Sequence, residues 1–282
     1  MGTPVPELIR DIAGLVSFPA IGLRVSEMVN DPQTTAAQLG EVISQDPALT
    51  AQLLQIANSA AFGRPAQVST VSRAVTVIGT RLVRDLVLVS STVHAFEGIP
   101  NELISMEDFW RHSLYCGLAA RYLAGQRHTA GTETLFIAGM LHDIGQLVIF
   151  HKRPQESRQA LLQSIEGDGD FALHLAEQRI FGFDHAQVGG ALLRQWNFPP
   201  LLIECTEFHH DPSRATHFPL ETALVHIANS LAQLAEVDSV EEDDALRTEP
   251  GAWAIAGLSK DVIAPAVRAA QEQFAEVREL FL

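Results

Sequence analysis

Apolar residues recur at intervals of three and four positions along almost the whole chain, and no segment alternates apolar with polar residues for long. This pattern predicts an all-α protein. It gives short helices in the first hundred residues and then a longer helix near residues 80–96. Beyond residue 105, it predicts further helices near residues 106–124, 132–150, 155–166, 171–181, 184–196, 200–210, 219–237 and 260–282.

Short polar segments interrupt this pattern. Asp31 and Asp46 each precede a proline, and an acidic residue followed by proline is typical of a helix start. The segment EGIPNELIS, residues 97–105, breaks the pattern after the longer helix. We take it as the boundary between an N-terminal lobe, residues 1–100, and a C-terminal lobe, residues 101–282.

The most apolar run of the chain, FIAGMLHDIGQLVIF, carries an adjacent histidine and aspartate. A buried carboxylate needs a hydrogen-bond partner, a counter-charge or a metal, because an unpaired one costs several kcal/mol. Four residues share one face of the predicted helix: Gly139, His142, Asp143 and Gln146. Two interpretations remain open. Gly139 could leave room above a small polar cavity, or it could let two helices pack closely beside a hydrogen-bonded pair.

Further histidines fall on neighbouring predicted helices. His112 lies on the helix before the pair, His185 begins a later helix, and His209 and His210 end another. Imidazole and carboxylate groups from separate helices of one bundle suit a divalent first-row transition metal such as Fe, Mn, Ni or Zn. Six residues are therefore candidate ligands of such an ion: His112, His142, Asp143, His185, His209 and His210.

Composition narrows the classes of function. The chain has 282 residues, 47% of them apolar, and a formal net charge of -15. Nucleic-acid binding depends on Lys and Arg that neutralise phosphates, so this balance argues against it. The sequence also suggests neither a membrane span, which takes roughly 20 apolar residues, nor a signal peptide at the N-terminus. A cytoplasmic protein is expected.

The order of the histidines and Asp143 resembles the metal-binding pattern of the HD superfamily of phosphohydrolases, and most closely its HD-GYP cyclic-dinucleotide phosphodiesterase branch. The segments DHAQVGGALL and CTEFHHDP match that branch's later histidine segments. The N-terminal run DPALTAQLLQIANSAAFG is similar to the HDOD family, the HD-related output domain of bacterial signalling proteins. This resemblance spans almost the whole chain and implies a two-lobed helical bundle with an HD-like C-terminal lobe. From the matching order in the superfamily, we predict that the six candidate ligands point into one cavity.

The chain departs from the enzymes of this superfamily at three places. By the resemblance, Asn229 stands where the last aspartate ligand would be, and Gln146 stands where active HD-GYP members have a lysine. The GYP loop is missing after His210. Phosphodiester cleavage needs a metal-activated water and stabilisation of charge on the leaving oxygens. The resemblance therefore implies vestigial metal ligands and no catalytic residues.

The resulting hypothesis is a non-catalytic regulatory module of bacterial signal transduction that acts through protein binding. Its partners would be signalling proteins acting in trans, namely a receiver domain, a kinase or a cyclic-dinucleotide enzyme. The alternative is a metal-dependent phosphohydrolase acting on a nucleotide or a cyclic dinucleotide. A third hypothesis is a pocket that binds such a ligand and leaves it intact.

The segment IANSAAFG in the N-terminal lobe also has two interpretations. Its small residues could let helices pack tightly, or the segment could approach a partner closely. If Asn58 and Arg64 serve binding, replacing them leaves stability nearly unchanged. A loss of stability would assign them to the fold.

Overall fold

The structure, a computed structural model, describes residues 5, 18–59, 68–98, 102–129, 131–166, 173–237 and 248–281. Every regular element in these ranges is helical, which confirms the predicted all-α class. The helices are α1 (Ala20–Asn30), α2 (Ala36–Ile43), α3 (Pro47–Asn58), α4 (Val71–Ile78), α5 (Thr80–Phe96), α6 (Met106–Gln126), α7 (Thr132–Leu141), α8 (Ile144–Lys152), α9 (Pro154–Glu166), α10 (Leu173–Phe181), α11 (His185–Gln195), α12 (Pro200–Phe208), α13 (Pro219–Glu236), α14 (Pro250–Ala256) and α15 (Ile263–Phe281). Two short 3-10 helices cover Pro212–Arg214 and Lys260–Val262.

The two Asp-Pro pairs behave differently. Asp46 caps α3, since its side chain accepts the backbone N–H of Leu49 at 3.0 Å. Asp31 instead lies in a turn, where its side chain accepts the backbone N–H of Gln33 at 2.9 Å. The prediction of a helix start at Asp31 is therefore wrong. The next helix begins later, because Thr35 forms a capping box with Gln38.

The C-terminal helices pack around α6. This helix lies along α7, α13 and α15, while α11 packs against α8 and α12. The single helix predicted for residues 132–150 is interrupted, because His142 and Asp143 form a turn between α7 and α8. Both side chains therefore point from a turn toward the surrounding helices and do not lie along one continuous helix face.

The N-terminal helices join the rest through one continuous core. Buried apolar side chains from Val25 on α1 to Phe281 on α15 belong to a single cluster. Asp85 on α5 is fully buried and accepts hydrogen bonds from Arg84 Nε at 2.8 Å and from Thr134 Oγ1 on α7 at 3.1 Å. The lobe boundary near residue 100 stays a prediction, and part of segment 97–105 lies outside the described residues.

One stretch is long and apolar enough to be compared with a membrane span. Thr132–Lys152 has a mean hydropathy of 1.3 in its most apolar window. The expectation that no stretch of the chain reaches this length is therefore wrong. However, 83% of that window is buried inside the protein, and the turn at His142 and Asp143 interrupts it. The stretch forms core helices of the domain.

Asn58, the last residue of α3, makes three side-chain hydrogen bonds to the backbone. Its side-chain amide donates to the backbone oxygens of Leu54 at 2.7 Å and Val68 at 2.8 Å, and its oxygen accepts the Val68 N–H at 2.7 Å. These contacts support the interpretation that Asn58 serves the fold. Arg64 lies outside the described residues.

We expect Asn58→Ala to lower the free energy of unfolding by about 1–3 kcal/mol, since it removes three hydrogen bonds. Chemical denaturation monitored by circular dichroism measures this. Gln55→Ala, at an exposed position on the same helix, is the matched control and should change stability by less than about 0.5 kcal/mol. Equal stability of the two variants would return Asn58 to a role in binding.

Candidate metal centre

The six residues predicted to converge lie together at the centre of the C-terminal helices. The turn between α7 and α8 presents His142 and Asp143, and α6 presents His112. His185 is the first residue of α11, where Asp184 caps the helix. His209 and His210 follow the last turn of α12. Four separate parts of the chain thus bring their side chains to one place.

The donor atoms form two adjoining groups that share Asp143. Group A consists of Asp143, His185, His209 and His210. Group B consists of His112, His142 and Asp143. Within each group the possible ligand atoms all lie within 4.8 Å of one another. The aspartate therefore stands between two sets of imidazoles and offers one oxygen to each.

In group A, Asp143 Oδ1 lies 3.2 Å from His185 Nε2 and 3.4 Å from His209 Nε2. His210 Nε2 lies 2.8 Å from His185 Nε2. In group B, Asp143 Oδ2 lies 3.3 Å from His142 Nε2 and 4.0 Å from His112 Nε2. Two donors that share an ion at about 2.1 Å lie about 3.0–3.4 Å apart. Most of these separations are close to that range.

The second nitrogen of three imidazoles is held by a hydrogen bond. His142 Nδ1–H donates to the backbone oxygen of Gly139 at 2.7 Å, and His209 Nδ1–H donates to that of Thr206 at 2.8 Å. His185 Nδ1–H donates to Glu177 Oε2 at 2.7 Å. When neutral, each of these rings therefore presents the lone pair of its Nε2 to Asp143. Outer hydrogen bonds of this kind fix the tautomer of metal-binding histidines.

Three buried polar atoms at the centre have no hydrogen-bond partner among the residues that the structure describes. They are His142 Nε2, Asp143 Oδ1 and His209 Nε2. Unpartnered buried polar atoms are costly, so native proteins rarely leave them without a function. A divalent cation in group A would satisfy Asp143 Oδ1 and His209 Nε2, and one in group B would satisfy His142 Nε2. The donor set, imidazole nitrogens with one carboxylate, fits a first-row transition metal.

Electrostatics distinguishes the histidines of the cluster. Burial acts to raise the pKa of Asp143, but the charge on His142 and hydrogen bonds from His142, His185 and His209 together outweigh it and hold that pKa well below the usual range. Burial acts to lower the pKa of His142, and Asp143 raises it well above the usual range. Burial and neighbouring imidazoles lower the pKa of His209 to about 4 and that of His210 well below normal.

The donors lie at the floor of a cavity of about 640 Å³. His112, Asp143, His185 and His210 line it, whereas His142 and His209 are fully buried beneath them. Gln146 and Asn229 also line the cavity. Asn229 Oδ1 lies 2.9 Å from His112 Nε2, so an amide oxygen stands beside group B. None of the described residues that line the cavity is a lysine or an arginine.

Gly139 has a different role from the one that an open cavity would require. A Cβ at this position would lie 2.6 Å from Gly117 Cα and 2.7 Å from Gly117 N on α6. The glycine therefore lets α6 and α7 meet backbone to backbone. The interpretation of Gly139 as an opening above the His-Asp pair is wrong, and the helix-packing interpretation is confirmed.

Sequence reasoning missed three residues of this centre. His174 on α10 stacks on His210 with ring centroids 3.9 Å apart, and burial lowers its pKa to about 4. His226 on α13 donates from Nδ1 to the backbone oxygen of His209 at 2.6 Å. Glu177, also on α10, is fully buried beside His185. Nothing in the periodicity marks these residues.

The helical fold and the convergent His-Asp cluster define an HD-like domain. A family model described as the HDOD domain matches residues 15–212, and the chain belongs to this family. The match covers parts of both predicted lobes, so the family's conserved unit includes N-terminal helices and most of the candidate centre. The chain is a signalling-related HD-like domain.

Similar proteins support this assignment. A crystal structure of a candidate phosphohydrolase from Shewanella amazonensis SB2B has a TM-score of 0.76 and 26% identity, and covers 98% of each chain. An HDOD domain protein with unknown function from Geobacter sulfurreducens has a TM-score of 0.76 and 25% identity, covering 98% of this chain and 97% of that one. An uncharacterised protein of Treponema pallidum (strain Nichols) is 26% identical over 215 residues, which are 75% of this chain but 40% of the Treponema protein.

Proposed function

We propose that the protein is a non-catalytic regulatory output module of bacterial signal transduction, which holds divalent transition metal ions in groups A and B and acts by binding other signalling proteins. Three unpartnered buried atoms support the metal, since ions in group A and group B would satisfy them. Bound there, a metal ion would act as a Lewis acid and lower the pKa of bound water. The module uses it instead as a cross-link between helices that carry the ligands.

The absence of catalysis is inferred chiefly from Asn229 and Gln146, which line the cavity where an acid and a cation would serve phosphoryl transfer. The neutral amide of Asn229 neither adds anionic charge to an ion nor accepts a proton from water. Gln146 offers hydrogen bonds but no positive charge for a transferred phosphoryl group, and such electrostatic stabilisation often dominates catalysis. The described lining residues supply no lysine or arginine in its place.

The partners are proposed to be signalling proteins in trans: a receiver domain, a kinase or a cyclic-dinucleotide enzyme. The net charge of -15 favours protein partners over nucleic acid, because phosphate-rich surfaces would be repelled. Family membership supports the same class of role. Binding of purified candidate partners to the full chain, measured by calorimetry, tests the proposal directly.

We expect the metal-loaded protein to leave cyclic dinucleotides and nucleoside phosphates intact at enzymatic time scales. Chromatographic assay of the products, with each candidate metal supplied separately, measures this. Robust hydrolysis that disappears in His142→Ala and with a chelator would favour the alternative, a metal-dependent phosphohydrolase.

The double variant Asn229→Asp with Gln146→Lys restores both missing charges. It should retain metal better than the native chain and still give little turnover, because two side chains do not replace the loop that is missing after His210. Turnover restored to an enzymatic rate by these two changes alone would show that Asn229 and Gln146 alone account for the lack of catalysis, and that the loop after His210 is not required.

A further inference from the structure

The two donor groups differ in the carboxylate that stands behind their histidines. In group A, Glu177 Oε2 accepts both the Nδ1–H of His185 at 2.7 Å and its backbone N–H at 2.8 Å. In group B, Glu236 Oε2 lies 3.2 Å from His112 Nδ1. The Glu177 side chain is 0% exposed, whereas that of Glu236 is 20% exposed. The contact in group A is therefore shorter and more shielded from water.

A buried carboxylate changes the imidazole that it binds. By accepting the Nδ1–H of His185, Glu177 fixes the ring as an Nε2 donor and makes that nitrogen more basic. Because solvent does not screen the contact, its negative charge acts strongly on an ion bound at Nε2. A divalent ion in group A is thus balanced by Asp143 directly and by Glu177 through His185.

Group B has less negative charge to neutralise a bound ion. It shares Asp143 with group A, and its neighbouring oxygen belongs to the neutral amide of Asn229. Its outer carboxylate, Glu236, is partly solvated and lies farther from its histidine. A second ion would also be repelled by an ion already held on the other side of Asp143.

We infer that Glu177 makes group A the tight metal site and leaves group B the weaker one, so that two ions load in a fixed order. Glu177 contacts His185 and belongs to neither donor group, and is therefore a positioning residue. The inference rests on the proposed metal centre, and it adds an unequal pair of sites and the residue that creates the inequality.

The test is a titration of the metal-free 282-residue chain with Co²⁺. The visible absorption of the bound Co²⁺ measures its binding. The native chain should bind one equivalent tightly and a second more weakly. Glu177→Gln should weaken the tight equivalent by roughly 10- to 100-fold, the usual cost of losing such an outer carboxylate, and should change the spectrum of the first equivalent. Glu236→Gln, the matched change in group B, should weaken only the second equivalent.

A further variant controls for the loss of a buried carboxylate as such. Glu204 is buried and accepts hydrogen bonds from the backbone N–H groups of Thr216 and His217, and it belongs to neither group. Glu204→Gln should leave both Co²⁺ equivalents unchanged. Circular dichroism of every variant shows whether its helices are intact.

Two equal equivalents in the native chain, or an unchanged tight equivalent in a folded Glu177→Gln, would overturn the inference while leaving the metal centre in place. A native chain that binds no Co²⁺ would reject the centre itself. Should Glu177→Gln fail to fold, NMR of the native chain with nitrogen-labelled histidine shows which donor group binds the first ion. One equivalent of Zn²⁺ should shift Nε2 of His185 and protect its Nδ1–H from exchange; a first shift at His112 would contradict this.

Discussion

Replacing Gly145 with alanine is expected to destabilise the protein by about 3 kcal/mol, because the second residue of α8 meets α11 through its backbone. A Cβ at this position would lie well inside van der Waals contact with the carbonyl oxygen of His185 and 2.6 Å from the backbone nitrogen of Gly189. Backbone atoms cannot rotate away as a flexible side chain can. The two helices would have to separate, and His185 would move away from Asp143.

Thermal and chemical unfolding of Gly145→Ala measure this loss. Gly125→Ala is the matched control, since Gly125 is an exposed helical glycine with no atom within 4 Å of the added Cβ. That change should leave stability equal or raise it by roughly 0.5–1 kcal/mol, because alanine favours helix. A Gly145→Ala protein as stable as the native chain would mean that α8 and α11 pack less closely than described.

The second large effect is expected at Asp143. This residue is the only member common to both donor groups, so Asp143→Ala removes a donor from each and the sole carboxylate among the donors. Without it, the remaining imidazoles are neutral ligands, and a buried divalent ion would lack a counter-charge in direct contact. We expect the variant to lose both bound metal equivalents.

Elemental analysis of protein purified without a metal-binding tag, together with calorimetric titration, measures this loss. Glu249→Gln provides a matched control, because Glu249 is an exposed acid that lines the same cavity and belongs to neither group. That variant should keep the native metal content. Full retention of metal by Asp143→Ala would reject the two-group arrangement.

The order of residues along the chain, together with the resemblance to HD proteins, predicted which side chains meet. His112, His185 and His209 belong to segments with strong helical periodicity, so their helices could be predicted. The resemblance to HD proteins indicated that their side chains meet at one site. Periodicity could not predict how α7 ends. An apolar run gives no sign of a break, and here the turn at His142 and Asp143 depends on contacts with other helices.

The outer residues of the centre were harder to predict, for a physical reason. Glu177 and His226 are polar residues on helices whose burial is decided by tertiary packing, and in the sequence they are indistinguishable from surface residues. Gly139 had two possible roles because a missing side chain can leave space or allow close contact. Only the position of α6 distinguishes them.

The backbone contact between Gly117 and Gly139 also bears on the kinetics of metal uptake. With α6 and α7 touching at these residues, main-chain atoms and not adaptable side chains set the distance between α6, which carries His112, and the end of α7, which leads into the turn with His142. The donors are therefore assembled when the chain folds, and little conformational entropy remains to be lost when an ion arrives. Metal capture should be a fast, single-step association with a preorganised site, not a slow process limited by rearrangement of the helices.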